Sequence, residues 1–312
     1  MSGHDLTPAP AGRKHLMTES GMIIKALVPW FGAKRILAPR IVELLGPHRT
    51  YWEPCGGSLA VLLAKPPCRM ETVNDLHEDL INLARVIQDR AQCLALYRRL
   101  HRVLCHEAIF DQAREQVYQV PFEPGVDRAY WYFLQSWVGR NGTAGTRDHN
   151  QHYARRFTGG GGATAVRLMR AVDSIPAWRR RLRRVCILHM DAFAMIERIA
   201  DEPDAVMYLD PPYILEKSSH GRDRYRHDFT EAEHDRLAEL LHRFRQARVV
   251  LGYYDHPRVH ELYKGWYCKR PLVEKHSTHS VRRGSRGSIK APEILLVNQP
   301  VEPPEKGLFH AG

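Results

Sequence analysis

The sequence predicts an α/β fold built on a doubly wound, mainly parallel sheet. Short apolar runs alternate with segments of helical spacing on both sides of a central basic stretch. Residues 205–209 are apolar without interruption, which is typical of a strand that is buried on both faces of a parallel sheet. The alternation of strands and helices favours this class over a sandwich or a helical bundle.

The first set of predicted elements lies before residue 90. A strand at residues 51–52 leads into a glycine-rich turn and then a helix at 59–63. A second strand at residues 72–74 precedes leucines and an isoleucine at helical spacing over residues 76–87.

The second set begins near residue 184. Thr230 and Glu233 form a capping box, which predicts a helix that continues to Phe244. The strands of this set are predicted at residues 185–188, 205–209, 249–254 and 294–297.

Length and composition are those of a globular protein of one or two domains. The chain has 312 residues, of which 44% are hydrophobic and 26% charged, and this excludes a collagen-like fibre, a coiled coil and a disordered chain. The sequence contains no run of 18 apolar residues, so it predicts no transmembrane helix. The six cysteines lack C-x-x-C spacing and the histidines lack ligand spacing, so we expect no metal site and a reducing, cytoplasmic environment.

The positive charge is concentrated in one segment. Lys and Arg total 46 against 35 acids, a formal net charge of +11. Residues 97–184 contain 16 arginines, no lysine and 7 acids, a net of +9. A basic surface favours a nucleic acid or an anionic membrane as partner. The absence of a basic amphipathic helix or a lipidation signal favours nucleic acid.

A glycine motif follows the first predicted strand. Gly56 and Gly57 stand in Glu-Pro-Cys-Gly-Gly-Ser at residues 53–58, where glycine lets the backbone turn sharply and approach a ligand. Asp75 follows the next strand, 18 residues after Gly57. An acid at this spacing accepts hydrogen bonds from ribose hydroxyls in nucleoside-binding α/β folds. The alternative is that Asp75 only caps the next helix.

A second motif, Asp210-Pro211-Pro212-Tyr213, follows the buried strand at residues 205–209. Ligands of open α/β sheets bind at the carboxyl ends of strands. The carboxylate and a proline carbonyl can accept hydrogen bonds from a planar amine, and the tyrosine ring can stack on a heterocycle. The alternative is an Asp-Pro turn with a packed tyrosine.

These motifs resemble those of the Dam-type N6-adenine DNA methyltransferases. The tetrapeptide at residues 210–213 has the acidic form typical of that family, and Trp-Phe-Gly-Ala-Lys at 30–34 looks like its N-terminal cofactor motif. The glycine motif, Asn74-Asp75, the basic insertion and the tetrapeptide occur in the family's order. The resemblance extends over about residues 22–298. Two departures are Leu59 after the glycines and Gly252-Tyr253, where many members carry Ser-Asn.

The resemblance implies a Rossmann-like S-adenosylmethionine-dependent methyltransferase sheet with an inserted, mainly helical DNA-recognition domain. It assigns residues 22–96 and 183–300 to the catalytic domain and 97–182 to the insertion, with flexible tails at 1–21 and 301–312. The residues that it implies for S-adenosylmethionine binding are Trp30, Lys34, Glu53, Pro54, Gly56, Gly57, Asp75, Asp191 and Asp210. Those that it implies for catalysis are Asp210, Pro211 and Tyr213.

The implied reaction suits these residues. The exocyclic amine of adenine is a poor nucleophile, and hydrogen bonds to Asp210 and the Pro211 carbonyl would localise its lone pair. The methyl donor is already activated, so positioning and electrostatics suffice. A base inside a duplex must be flipped out to reach such a site, and Tyr213 would stack on it.

The implied partner is double-stranded DNA, bound by a monomer encoded by a bacterium or a bacteriophage. The predicted DNA-contacting residues are Arg140, Asn141, Arg155, Arg156, Arg224, Tyr225, Arg282 and Arg283; the alternative for each is an ordinary solvated loop or helix end. Two other functions stay open. One is an RNA adenine or N4-cytosine methyltransferase, although the acidic tetrapeptide disfavours cytosine. The other is a DNA-binding protein of the same fold that has lost catalysis.

Overall fold

The computed structural model describes residues 23–30, 32–139, 152–155, 163–214, 227–271 and 293–300. These residues form ten helices and seven strands. The helices are α1 (Ala38–Leu45), α2 (Ala60–Ala64), α3 (Glu78–Gln88), α4 (Arg90–His101), α5 (Glu107–Tyr118), α6 (Val126–Val138), α7 (Thr164–Leu182), α8 (Ala192–Arg198), α9 (Glu231–Leu241) and α10 (Pro257–Leu262). The strands are β1 (Thr50–Glu53), β2 (Met70–Asn74), β3 (Cys186–Leu188), β4 (Ala205–Leu209), β5 (Arg248–Tyr254), β6 (Tyr267–Lys269) and β7 (Glu293–Val297).

The strands form one sheet in the order β3-β2-β1-β4-β5-β7-β6. The five strands from β3 to β5 are parallel to their neighbours, whereas β7 runs antiparallel to both β5 and β6. The chain reverses its direction of travel across the sheet between β1 and β4. Ligands of open α/β sheets bind at such a reversal, outside the carboxyl ends of the strands. The predicted α/β class is confirmed.

Two hydrophobic cores cover the two faces of this sheet. In β4, Val206 and Tyr208 lie in the core covered by α1 to α7, and Ala205, Met207 and Leu209 lie in the core covered by α8 to α10. Because successive side chains of a strand point to opposite faces, a strand between two cores must be apolar at every position. This explains the uninterrupted run that predicted a buried strand.

The helices of the basic segment share the first core with the sheet. The indole of Trp137 in α6 donates to the carbonyl of Leu27 at 3.0 Å, and that of Trp178 in α7 donates to the carbonyl of Ile24 at 2.6 Å. Both indoles are 1% exposed. The predicted boundary at residue 97 falls inside α4. The described part of the segment is helical, as expected, and its division into a separate recognition domain stays a prediction.

Several arginines of this segment stabilise the fold itself. The guanidinium of Arg128 is buried, pairs with Asp79 of α3, and donates to the carbonyls of Gln116 and Val117 at the end of α5. Arg167 of α7 donates to the carbonyls of Trp137 and Gly139 at the end of α6. Helix ends leave carbonyls without intrahelical partners, and these two side chains satisfy them. The net charge of the segment therefore overstates the charge that it presents to a ligand.

Two helix boundaries differ from the prediction. The capping box of Thr230 and Glu233 is present, but α9 ends at Leu241 rather than at Phe244. The chain leaves the helix there because the backbone N–H groups of residues 245–247 bond to the carboxylate of Asp201. Helix α2 begins at Ala60 because Leu59 has a left-handed backbone, with φ of 56°, which a helix cannot include.

No helix among the described residues is long and apolar enough to cross a membrane. Within the same residues, no group of three His, Cys, Asp or Glu side chains could hold a metal ion.

Candidate active site

A cleft opens at the carboxyl ends of β1 to β4. Its walls come from the loops that follow these strands, together with His227 and Phe229 ahead of α9. It holds about 740 Å³ of empty space, counting its solvent-open mouth. Six of the predicted site residues line it, namely Trp30, Pro54, Gly57, Asp75, Asp191 and Asp210.

The side-chain amide of Asn74 joins three of these loops. Its Nδ2 donates to the carbonyls of Pro54 and Met190, each at 2.9 Å, and its Oδ1 accepts from the N–H of Met190 at 2.9 Å. The residue is fully buried. Since Pro54 follows β1 and Met190 follows β3, one amide fixes the ends of three adjacent strands. Its presence before Asp75 in the sequence was a signal, but its bridging role was not predicted.

The carboxylate of Asp75 is held by two backbone donors. The N–H of Gly57 donates to Oδ2 at 2.7 Å, and that of His77 donates to Oδ1 at 2.8 Å. Burial raises the pKa of Asp75, and these two N–H groups oppose the shift. A carboxylate offers about four acceptor sites, so Asp75 can still accept hydrogen bonds from ligand hydroxyls.

Gly57 is required by its backbone and by its surroundings. Its φ is +48°, a conformation that favours glycine, and a Cβ there would lie 3.1 Å from Nε1 of Trp30. The Trp30 ring meets that of His77 edge-on, with centroids 5.5 Å apart, and His77 packs on Tyr132 of α6 at 5.6 Å. The aromatic wall of the cleft is therefore supported by the helices of the basic segment.

Asp210 lies directly after β4 and forms a buried ion pair. Its Oδ2 is 2.7 Å from Nζ of Lys34, and the two side chains are 22% and 4% exposed. Burial raises the pKa of Asp210, and the ammonium of Lys34 opposes this. Burial alone would lower the pKa of Lys34, but the carboxylates of Asp210 and Glu293 outweigh it and raise that pKa. The ammonium of Lys34 lies on the carboxylate of Asp210, and its predicted contact with the cofactor stays a prediction.

Tyr213 supports the same carboxylate from the other side. Its hydroxyl donates to Oδ1 of Asp210 at 2.8 Å. The ring packs edge-on against Tyr254, with centroids 4.4 Å apart, and is 8% exposed. The predicted stacking of this ring on a base stays a prediction, and the hydroxyl has a role that the sequence did not indicate.

Two further carboxyl groups lie behind the cleft. Glu53 accepts from the hydroxyl of Tyr51 at 2.8 Å and is 1% exposed. Burial, with the charge of Asp210 adding to it, raises the pKa of Glu53 to about 8, so this group is protonated at neutral pH. Glu293, the first residue of β7, has Oε1 3.7 Å from Nζ of Lys34. A charged residue at the start of an otherwise apolar strand was the only sequence signal for Glu293.

The predicted cofactor and catalytic residues also include Gly56, Pro211 and Asp191. Gly56 lies behind the cleft, where a Cβ would be 3.1 Å from the carbonyl oxygen of Asn74; Pro211 is buried beside Asp210. Asp191 caps α8, with Oδ1 accepting from the N–H of Ala194 at 2.9 Å.

Of the predicted DNA contacts, Arg155 is described, and it is exposed and paired with Glu107. Outside the described residues lie Arg140, Asn141, Arg156, Arg224, Tyr225, Arg282 and Arg283.

Comparison with known proteins gives one family. Residues 30–279 match the D12 class N6 adenine-specific DNA methyltransferases. Among solved structures, the chain is similar to an rRNA methyltransferase, aviRa, from Streptomyces viridochromogenes, at 15% sequence identity and a TM-score of 0.33, over 84% of this chain and 83% of that one. A search of curated proteins gives no match.

Proposed function

Since this chain belongs to the D12 class N6 adenine-specific DNA methyltransferases, we propose that it methylates a flipped-out adenine in double-stranded DNA with S-adenosylmethionine as methyl donor. The family establishes an enzyme that methylates the N6 amine of adenine at specific sites. The observation that supports the rest is the cleft, because the same space is lined by both Asp75 and Asp210.

The residues of the cleft fit S-adenosylmethionine. Asp75 offers acceptors for two ribose hydroxyls, and the backbone at Gly57 leaves no room for a side chain. Trp30 and Phe229 supply flat apolar walls, which suit an adenine ring. When bound, this group supplies a methyl that is already activated by a sulfonium sulfur. Asp191, on the β3 side of the cleft, is proposed to reach its adenine end.

Asp210 is the proposed catalytic residue, and it acts as an ionised carboxylate that accepts a hydrogen bond from the amine. Its oxygen atoms are oriented by Lys34 and Tyr213, so little reorganisation is needed when an amine N–H binds to it. The carbonyl of Pro211 is proposed to accept the second N–H. The amine nitrogen would bond to the methyl carbon as the bond from that carbon to the sulfonium sulfur breaks, which leaves S-adenosylhomocysteine. The nitrogen becomes positively charged and then gives one proton to solvent, so a fixed negative charge stabilises the transition state more than the ground state.

The target base must leave the duplex, because a paired adenine cannot bring its amine to a buried carboxylate. We propose that one copy of the chain binds DNA through the basic segment and the sequence segments at residues 222–226 and 282–286. Within the described residues, Arg155 is exposed on this segment.

The test is methyl transfer itself. Purified protein is incubated with S-adenosylmethionine carrying a labelled methyl group and with double-stranded DNA, single-stranded DNA or RNA, and N6-methyladenine is measured. We expect label in adenines of the duplex, at one sequence. The control is Asp210→Ala, which should lose about 10²–10³ in rate at saturating cofactor. Label only in RNA, or equal rates for Asp210→Ala and the parent, would overturn the proposal.

A further inference from the structure

Three charged side chains meet at the Asp210 end of the cleft. The ammonium of Lys34 is 2.7 Å from Oδ2 of Asp210, 3.7 Å from Oε1 of Glu293, and 2.8 Å from the carbonyl oxygen of Gly32. The side chains of Lys34 and Glu293 are 4% and 6% exposed. Neither lines the cleft, so each acts on a ligand through Asp210.

The second carboxylate changes the charge of this cluster. Lys34 and Asp210 alone form a neutral pair, which would offer little attraction to a positive amine. With Glu293, the Lys34 ammonium is shared between two carboxylates among the described residues, so it neutralises Asp210 less completely. The next carboxyl group, Glu53, is protonated at neutral pH because its pKa is about 8, and it adds no charge. Buried charges interact more strongly than exposed ones, so the Glu293 carboxylate affects the charge that Asp210 presents to a reacting nitrogen.

We propose that Glu293 is a positioning residue for Asp210: by sharing the Lys34 ammonium, it leaves more negative charge on the Asp210 carboxylate at the catalytic end of the cleft. This inference rests on the proposed function, because the charge is useful only where a positive amine forms. The strand geometry supports it. Glu293 pairs with Tyr254 across β5 and β7, and β7 continues as four buried apolar residues, so the position of this carboxylate is fixed by the sheet.

The pKa of Asp210 responds to the charges of both Lys34 and Glu293, so its titration tests this proposal. Among the described residues, the titratable groups near Asp210 or its partners include Lys34, Glu53, Cys55, Tyr208, Tyr213, His227, Tyr253, Tyr254 and Glu293. The charge of Glu293 raises the pKa of Asp210, and that of Lys34 lowers it. Removal of Glu293 should therefore lower this pKa, and removal of Lys34 should raise it. If Glu293 had only a structural role, its removal and the removal of Lys34 would not shift the pKa of Asp210 in opposite directions.

The first measurement is carbon-13 NMR of aspartate carboxyl groups in the ligand-free protein, with Asp210→Asn used to assign the signal. We expect the midpoint of Asp210 to move down in Glu293→Gln, up in Lys34→Met, and little in Glu293→Asp, which keeps the charge. Glu293→Asp also serves as the folding control, because it preserves an acid at the start of β7. An unmoved midpoint in a folded Glu293→Gln protein overturns the inference.

The second measurement is kcat against pH at saturating S-adenosylmethionine. In Glu293→Gln the plateau should fall about tenfold, less than for loss of a direct contact, and the acid limb should shift to lower pH. A plateau equal to that of the parent also overturns the inference. A parent protein that methylates nothing would instead refute the proposed function, and the NMR midpoints would still decide whether Glu293 controls Asp210.

Discussion

The hydroxyl of Tyr213 donates a 2.8 Å hydrogen bond to Oδ1 of Asp210, so the last residue of the tetrapeptide orients the first. With Lys34 on Oδ2, each oxygen of the carboxylate has one fixed partner. The carboxylate is therefore oriented before any substrate arrives, and this preorganisation is the largest contribution that a site without a protein nucleophile can make.

Tyr213→Phe should lower kcat about tenfold, because a hydrogen bond to a charged group contributes about 1.5–3 kcal/mol. Tyr213→Ala should lose more, since the ring is also removed. A fluorescent base analogue at the target position separates the two effects: it should be held as in the parent by Tyr213→Phe and less well by Tyr213→Ala. Parent-like turnover by Tyr213→Phe would show that the hydroxyl does not orient Asp210.

Asp75→Asn should weaken S-adenosylmethionine binding roughly tenfold to hundredfold, because charge-assisted hydrogen bonds of about 1.5–3 kcal/mol are lost. The amide also cannot accept from the N–H groups of both Gly57 and His77. Calorimetry with the cofactor is the measurement, and DNA affinity without cofactor is the control that should not change. Unaltered cofactor affinity would remove Asp75 from the binding site.

Glu53→Gln should make the protein more stable than the parent at alkaline pH but not at acid pH. The folded-state pKa of Glu53 is raised from 4.5 to about 8, so the folded state holds a proton that the unfolded state has lost between these values. The free energy of unfolding of the parent therefore falls as pH rises through this window, by on the order of a few kcal/mol. Urea unfolding of both proteins at pH 5 and pH 8.5 measures the difference. Equal gains at both pH values would contradict a buried, protonated Glu53.

Arg155→Ala should reduce the salt dependence of DNA binding by about 0.9 log units per log salt if this side chain neutralises one phosphate. The matched control is Arg236→Ala in α9, which removes the same charge from another exposed ion pair; the two arginine side chains are 57% and 51% exposed. Fluorescence anisotropy at several salt concentrations gives both slopes. Identical slopes for the two variants would indicate that Arg155 serves only its pair with Glu107.

The sheet and the cleft were predictable because their signals are local. An apolar run marked β4, a capping box marked α9, and the tetrapeptide stands directly after β4. The ion pair of Lys34 was not predictable, because Asp210 and Glu293 are far from Lys34 and from each other in the sequence. Strand β6 also escaped prediction, since two of its three residues are exposed and it has no apolar run.

Leu59 shows a different limit. Its side chain is typical of a helix, yet its backbone is left-handed, because the tight turn through the two glycines places it before the first helical residue. The helix propensity of leucine predicted a helical residue here, but the turn determined the backbone conformation of Leu59.

The indoles of Trp137 and Trp178 have a consequence for engineering. Both donate to the backbone of residues 24–27, so α6 and α7 are anchored to the chain outside the basic segment in which they lie. A chimera that exchanges residues 97–182 as a block with those of a relative would remove these two anchors and is expected to fold poorly. Grafts that keep both helices and replace only the connections between them leave the anchors in place, and are the more promising way to transfer a DNA target from one enzyme to another.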